Sequence, residues 1–218
     1  MNSFFLIVIG LSMALFTSKA GADTRGECRC EYSWQHAYAE YINDLEYYSG
    51  LYIGDLNGDE IPEAVIDVNT LGSVIVLYDT REGRKELNLE TVSAWGSVTY
   101  IADTGQFLYC PFYGHTTGTW GYEEYYLYDW TGEEYEQTFS MLRESGYYQD
   151  EGSYEYGESF IDGKKTDNES FEKKLAEIEK LRDENSGNLP FWNLEEEGFE
   201  KKVRELLPCY RMTLKDIP

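Results

Sequence analysis

Ser33 is followed by Trp34, Ala37, Tyr38, Tyr41 and Ile42, apolar positions spaced i, i+3, i+4, i+7 and i+8. That spacing predicts one amphipathic helix with a serine at its start. From Tyr52 the period shortens. Ala64-Val65-Ile66-Asp67-Val68 and Ser73-Val74-Ile75-Val76-Leu77-Tyr78 are β-branched runs separated by Asn69-Thr70-Leu71-Gly72, which predicts strand, turn, strand. Ser97–Ala102, Phe107–Phe112, Glu124–Asp129 and Tyr135–Phe139 carry the same signal. Asp103-Thr104-Gly105 and Trp130-Thr131-Gly132 supply turn chemistry between them. Tyr78-Asp79 before Gly83 and Tyr128-Asp129 before Gly132 form a weak internal echo, each closing a strand. Short connections favour antiparallel neighbours, so a meander of roughly six to eight strands is expected. Helical spacing returns at the end. Thr166 and Glu169 have capping-box spacing ahead of Phe171, Leu175, Ile178 and Leu181, and Asn185-Ser186-Gly187-Asn188 breaks the pattern. Leu194 to Leu207 predicts a second helix, stopped by Pro208. The expected class is α+β: mainly an antiparallel β meander with one N-terminal helix and two C-terminal helices.

The first 22 residues stand apart. Phe4 to Phe16 is an uncharged run of 13 residues, followed by Ala20-Gly21-Ala22. It is shorter than the roughly 20 residues a spanning helix needs. Small residues after such a run predict a cleaved signal peptide over 1–22, although no Lys or Arg precedes it. The mature chain, 23–218, is then a single domain that is secreted or held at the cell surface.

Cleavage removes Lys19 and no carboxylate, leaving 17 basic against 41 acidic residues, or −24. Such a charge repels nucleic-acid phosphate and anionic lipid, so neither nucleic acid nor membrane is an expected partner after signal cleavage. Cys28, Cys30, Cys110 and Cys209 lack zinc-ligand spacing. In an exported chain they predict disulfides. Cys28 and Cys30 are too close to pair without strain, so each is expected to reach one of Cys110 and Cys209, in either order.

One stretch carries chemistry. Asp55-Leu56-Asn57-Gly58-Asp59-Glu60-Ile61-Pro62-Glu63 places side-chain oxygens at loop positions 1, 3, 5 and 9. Calcium takes about six to eight oxygen ligands at roughly 2.3–2.6 Å. Asp55, Asn57, Asp59 and Glu63 are the expected side-chain ligands to Ca2+, and Ile61 offers a main-chain carbonyl. Gly58 allows a backbone that a Cβ hinders. With Ile66 at the twelfth position, the loop is not an EF-hand, which needs a bidentate glutamate there.

The segment Leu51–Ile66 resembles the single calcium loops of FG-GAP and VCBS repeats, with a strand entering and another leaving. It is also similar to single-copy versions in exported Gram-positive bacterial proteins of unknown function. Phe160-Ile161-Asp162-Gly163-Lys164-Lys165-Thr166 resembles their closing strand-to-helix segment. In such loops position 6 is normally glycine, and here it is Glu60. A left-handed residue there costs roughly 1–2 kcal/mol.

No other constellation stands out. His36 lies on the predicted first helix and reads as structural; His115 lies in a polar loop. No catalytic or organic-cofactor residue is assigned. Tyr122 to Trp130 and Tyr147 to Tyr156 set tyrosines beside acids, which fits either half-buried strands or an exposed aromatic platform. The expected function is a non-catalytic, calcium-stabilised extracellular binding or interaction module whose partner is a protein or a carbohydrate. A secreted hydrolase acting on polysaccharide or cell-wall material is the alternative, and a secreted inhibitor the second.

Overall fold

The computed structural model describes residues 33–68, 73–91, 96–111, 120–148 and 153–211. Three helices and eleven strands lie among them. Helix α1 (Trp34–Asp44) opens the described chain, followed by β1 (Gly50–Gly54), β2 (Glu63–Asp67), β3 (Val74–Thr80) and β4 (Gly83–Leu89). Next come β5 (Ser97–Ile101), β6 (Gln106–Cys110), β7 (Trp120–Trp130), β8 (Tyr135–Tyr148), β9 (Ser153–Ile161) and β10 (Lys164–Thr166). Helix α2 (Asn168–Asn185), β11 (Trp192–Asn193) and α3 (Phe199–Leu206) close the order. The fold is α+β and mainly β, with the helices at the two ends of the chain as the periodicity indicates.

The strands are more numerous than expected and form two antiparallel sheets rather than one. The first runs β11-β1-β2-β3-β4 and the second β10-β9-β8-β7-β6-β5. Each is a meander; only β11 returns from afar, pairing Trp192 with Leu51. The additional strands are polar. In β4, Gly83–Leu89, burial alternates residue by residue as it does at a sheet edge. Its charged residues hide the strand from a hydrophobicity pattern.

Three cores order these parts into four layers. Tyr38, Ala39 and Ile42 of α1 and Phe199 and Val203 of α3 pack on Leu51, Ile66 and Leu77 of the first sheet. The other face of that sheet, through Val65, Val76 and Tyr78, packs on Tyr100, Phe107 and Tyr135 of the second. Leu108, Tyr125 and Met141 on the far side of the second sheet meet Phe171, Leu175 and Ile178 of α2. Sheet one is therefore buried on both faces, which explains why Ala64-Val65-Ile66 is apolar without alternation. A bulge between Leu127 and Tyr128 shifts the β7–β8 register. It lets Tyr135 and Met141, both odd-numbered, serve opposite faces of one strand.

Two helix starts differ from expectation. Thr166 ends β10 opposite Ser159, so the cap of α2 falls to Asp167, whose Oδ1 accepts from Ser170 N at 2.8 Å. The last helix begins at Phe199 rather than Leu194, because Trp192–Asn193 is used as a strand and Gly198 precedes the helix at φ +86°. The sequence echo has a structural counterpart in two hairpin turns. Thr80 Oγ1 donates to Gly83 O at 2.8 Å, and Thr131 Oγ1 to Glu134 O at 2.9 Å.

Candidate functional site: the β1–β2 loop

The loop of residues 55–62 joins β1 to β2, whose last pair is Gly54 opposite Glu63. Its side chains turn back on its own backbone. Asp55 Oδ1 accepts from Gly58 N at 2.8 Å and its Oδ2 from Glu60 N at 3.2 Å. Asn57 Oδ1 accepts from Asp59 N at 2.9 Å, and Asp59 Oδ1 from Ile61 N at 2.8 Å. These alternate Asx contacts wind the chain tightly. The winding drives Gly58 to φ +79° and Glu60 to φ +71°. Position 6 is thus left-handed, and a glutamate occupies a conformation that glycine adopts without a Cβ penalty.

Glu63 is the centre of the arrangement. It is 1% exposed, and its carboxylate accepts from Leu56 N at 2.7 Å and from Asn57 Nδ2 at 2.9 Å. The same Asn57 amide donates to Asp59 Oδ2 at 3.1 Å, so one donor gathers oxygens from Asp59 and Glu63. None of the ion pairs among the described residues involves a loop carboxylate. Burial pushes the Glu63 carboxyl up to about 8, and the charges of Asp59 and Asp55 add to that; the hydrogen bonds from Leu56 and Asn57 offset only part.

The loop is braced by residues distant in sequence. Leu56 is buried between the sheets, and its carbonyl accepts from Tyr100 Oη of β5 at 2.7 Å. Gly105, at φ +72° in the β5–β6 turn, leaves only 3.0 Å between an added Cβ and Leu56 O. Turn and loop are therefore in contact through a glycine. A short turn signal at Asp103-Thr104-Gly105 was legible, but not what it lies against.

Of the five expected ligands, Asn57, Asp59 and Glu63 are brought together. Asp55 is held by Gly58 and Glu60, and Ile61 contributes its N–H to Asp59. Among the described residues no three His, Cys, Asp or Glu side chains converge as metal ligands. That is the arrangement repulsion dictates: two acids share an amide, and the third turns to backbone N–H groups. The donor set fits a hard cation, with four oxygen-bearing side chains, one of them a buried carboxyl that forms no ion pair among the described residues. His36 is half-buried on α1, while His115, Cys28 and Cys30 lie outside the described residues. Cys110 is buried and Cys209 half-buried. No helix among the described residues is long and apolar enough to cross a membrane. Compared with family models, curated proteins and solved structures, the chain matches none.

Proposed function

We propose that this protein is an exported, non-catalytic interaction module whose β1–β2 loop is stabilised by calcium. The observation that carries the reading is Glu63: a carboxyl 1% exposed, facing Asp59 through Asn57, with no ion pair to a lysine or arginine among the described residues. A bound divalent cation supplies that balance. Asn57, Asp59 and Glu63 would hold it through side-chain oxygens after Asn57 turns its amide. Asp55 would join by sharing an oxygen that now serves only the backbone, and Ile61 would add its carbonyl. Left-handed Glu60 supports the same reading, since it matches the position at which the FG-GAP and VCBS loops that this stretch resembles carry glycine. The acidic surface and an amino-terminal run of signal character favour an extracellular setting, where calcium is abundant and the partner is a protein or a carbohydrate. Calorimetric titration of mature protein with calcium, beside an Asp55→Ala and Asp59→Ala variant, tests the proposal. One site in the wild type and none in the variant is expected. No heat in either leaves the loop an ordinary turn.

A further inference from the structure

The second sheet is longer than the first, and part of its inner face lies outside all three cores. Tyr109 and Tyr128 mark the rim of the inter-sheet core, and Tyr122, Tyr126, Leu142 and Phe160 belong to none of the cores. Register places them together. Tyr122 lies opposite Glu144, Glu124 opposite Leu142, and Leu142 opposite Phe160. Tyr122 is 47% exposed, and Tyr126 stacks on Tyr109 at 5.9 Å between ring centroids. Tyr126 Oη donates to Glu124 Oε2 at 3.0 Å, which fixes that carboxylate beside the rings. The nearby lysine, Lys165, is already paired with Glu158.

The opposite face of the same strands shows what such a set of groups holds. There Arg143, 2% exposed, donates to Glu123 Oε2 at 2.6 Å and to Glu172 Oε1 at 2.5 Å. Its guanidinium lies 3.9 Å from the Tyr156 ring centroid and 4.5 Å from that of Phe171. Two glutamates and two rings enclose one arginine. On the other face of β7 and β8, Glu124 and Glu144 with Tyr122 and Tyr126 present two glutamates and two rings again, and no arginine among the described residues is paired with them. Carboxylates give the guanidinium charge-assisted hydrogen bonds, and tyrosine faces add cation–π attraction.

We infer that the face formed by Tyr122, Glu124, Tyr126, Leu142 and Glu144 docks an arginine-bearing segment of a partner protein. The inference deepens the interaction-module reading by naming the partner's chemistry, and it uses residues remote from the calcium loop. The net charge of −23 steers cationic partners toward the molecule, and the glutamate–tyrosine pattern gives one of their arginines a seat.

The test is calorimetric titration of mature protein with a short peptide alternating arginine and alanine, at fixed ionic strength. It is run in calcium and in chelator, below the melting midpoint. Glu124→Gln/Glu144→Gln with Tyr122→Ala should weaken saturable binding about tenfold or more. The control, Glu196→Gln/Glu197→Gln, removes the same charge from exposed positions and should weaken it little. If Tyr122→Ala disturbs folding, the isosteric Glu124→Gln/Glu144→Gln pair carries the comparison alone. Equal weakening by test and control variants, or no saturable binding by the wild type, overturns the proposal and leaves the calcium reading intact. A calcium-independent melting midpoint with peptide binding preserved does the reverse.

Discussion

Glu63→Gln removes the titrating group from the buried end of the loop while keeping the side chain's shape. In calcium-free protein the wild-type carboxyl sits at about 8 against an ordinary value of 4.5. A raised carboxyl stabilises the fold below its unfolded value, and that contribution is lost as pH rises through the folded value. Between pH 6 and pH 9 the linkage relation gives a loss of roughly 2–3 kcal/mol. For a chain of this size that corresponds to a melting midpoint about 5–10 °C lower at pH 9. Glutamine does not titrate, so the variant should be flat across the window. It should also start lower, because its amide places a donor against either Leu56 N or Asn57 Nδ2, which costs about 1–3 kcal/mol. The two curves therefore converge toward pH 9 in chelator.

Calcium should separate them again. At free calcium 100 times its dissociation constant the wild type gains about 2.7 kcal/mol, while the variant lacks the inner carboxylate and should gain little. Binding displaces the Glu63 proton below pH 8, so wild-type affinity should rise as pH increases toward that value. The assay is thermal melting at both pH values, with calcium or chelator, at constant ionic strength. A wild-type midpoint that moves with neither pH nor calcium refutes both the buried-carboxyl argument and the metal assignment.

Other outcomes follow from single contacts. Glu60→Gly relieves the φ of +71° and should stabilise the protein by about 0.5–1 kcal/mol in chelator, with tighter calcium binding by calorimetry. Gly105→Ala places a Cβ 3.0 Å from Leu56 O at positive φ and should cost about 1–3 kcal/mol in denaturant melts. Glu123→Gln weakens the pairing of buried Arg143 and should cost about 2–4 kcal/mol, more than removal of the exposed Lys174–Glu177 pair. Non-reducing peptide mapping of exported protein should join Cys28 and Cys30 to Cys110 and Cys209; four reactive thiols would contradict both the bridges and the exported compartment.

Helix α1, the strands Glu63–Asp67 and Val74–Thr80, and the Asx-rich loop before Glu63 were legible because each has a local cause. An apolar stripe at helical spacing, β-branched runs and alternate acids all act within a few residues. The division into two sheets was not legible. The chain changes sheet between β4 and β5, and the bulge at Leu127/Tyr128 that sends Tyr135 inward to Tyr78 and Phe107 has no local signal either. Strands β4 and β9 were missed because charge masks a strand at a sheet edge or on a half-covered face. Within the loop the polar residues that fold onto one another could be named, yet Tyr100 and Gly105 could not. They lie more than 40 residues downstream, and only the stacking of one sheet on the other brings them to Leu56.

That placement bears on how calcium bound at the loop would act. The loop contacts the second sheet at Tyr100, which pairs with Phe107, which in turn pairs with Tyr128. The tyrosine–glutamate face begins at Tyr126, two residues back along the same strand, and its first carboxylate, Glu124, is four residues back, or about 13 Å at the rise of an extended chain. A cation at the loop is farther than a Debye length of about 8 Å at physiological salt, so its charge reaches the face only weakly. Calcium should therefore set how much protein is folded, not how the folded protein binds. The arginine peptide should bind folded protein with the same affinity in calcium and in chelator at 10 °C, where both forms are native. A difference of tenfold or more, about 1.4 kcal/mol, would show that the two ends are coupled and that calcium is a switch rather than a brace.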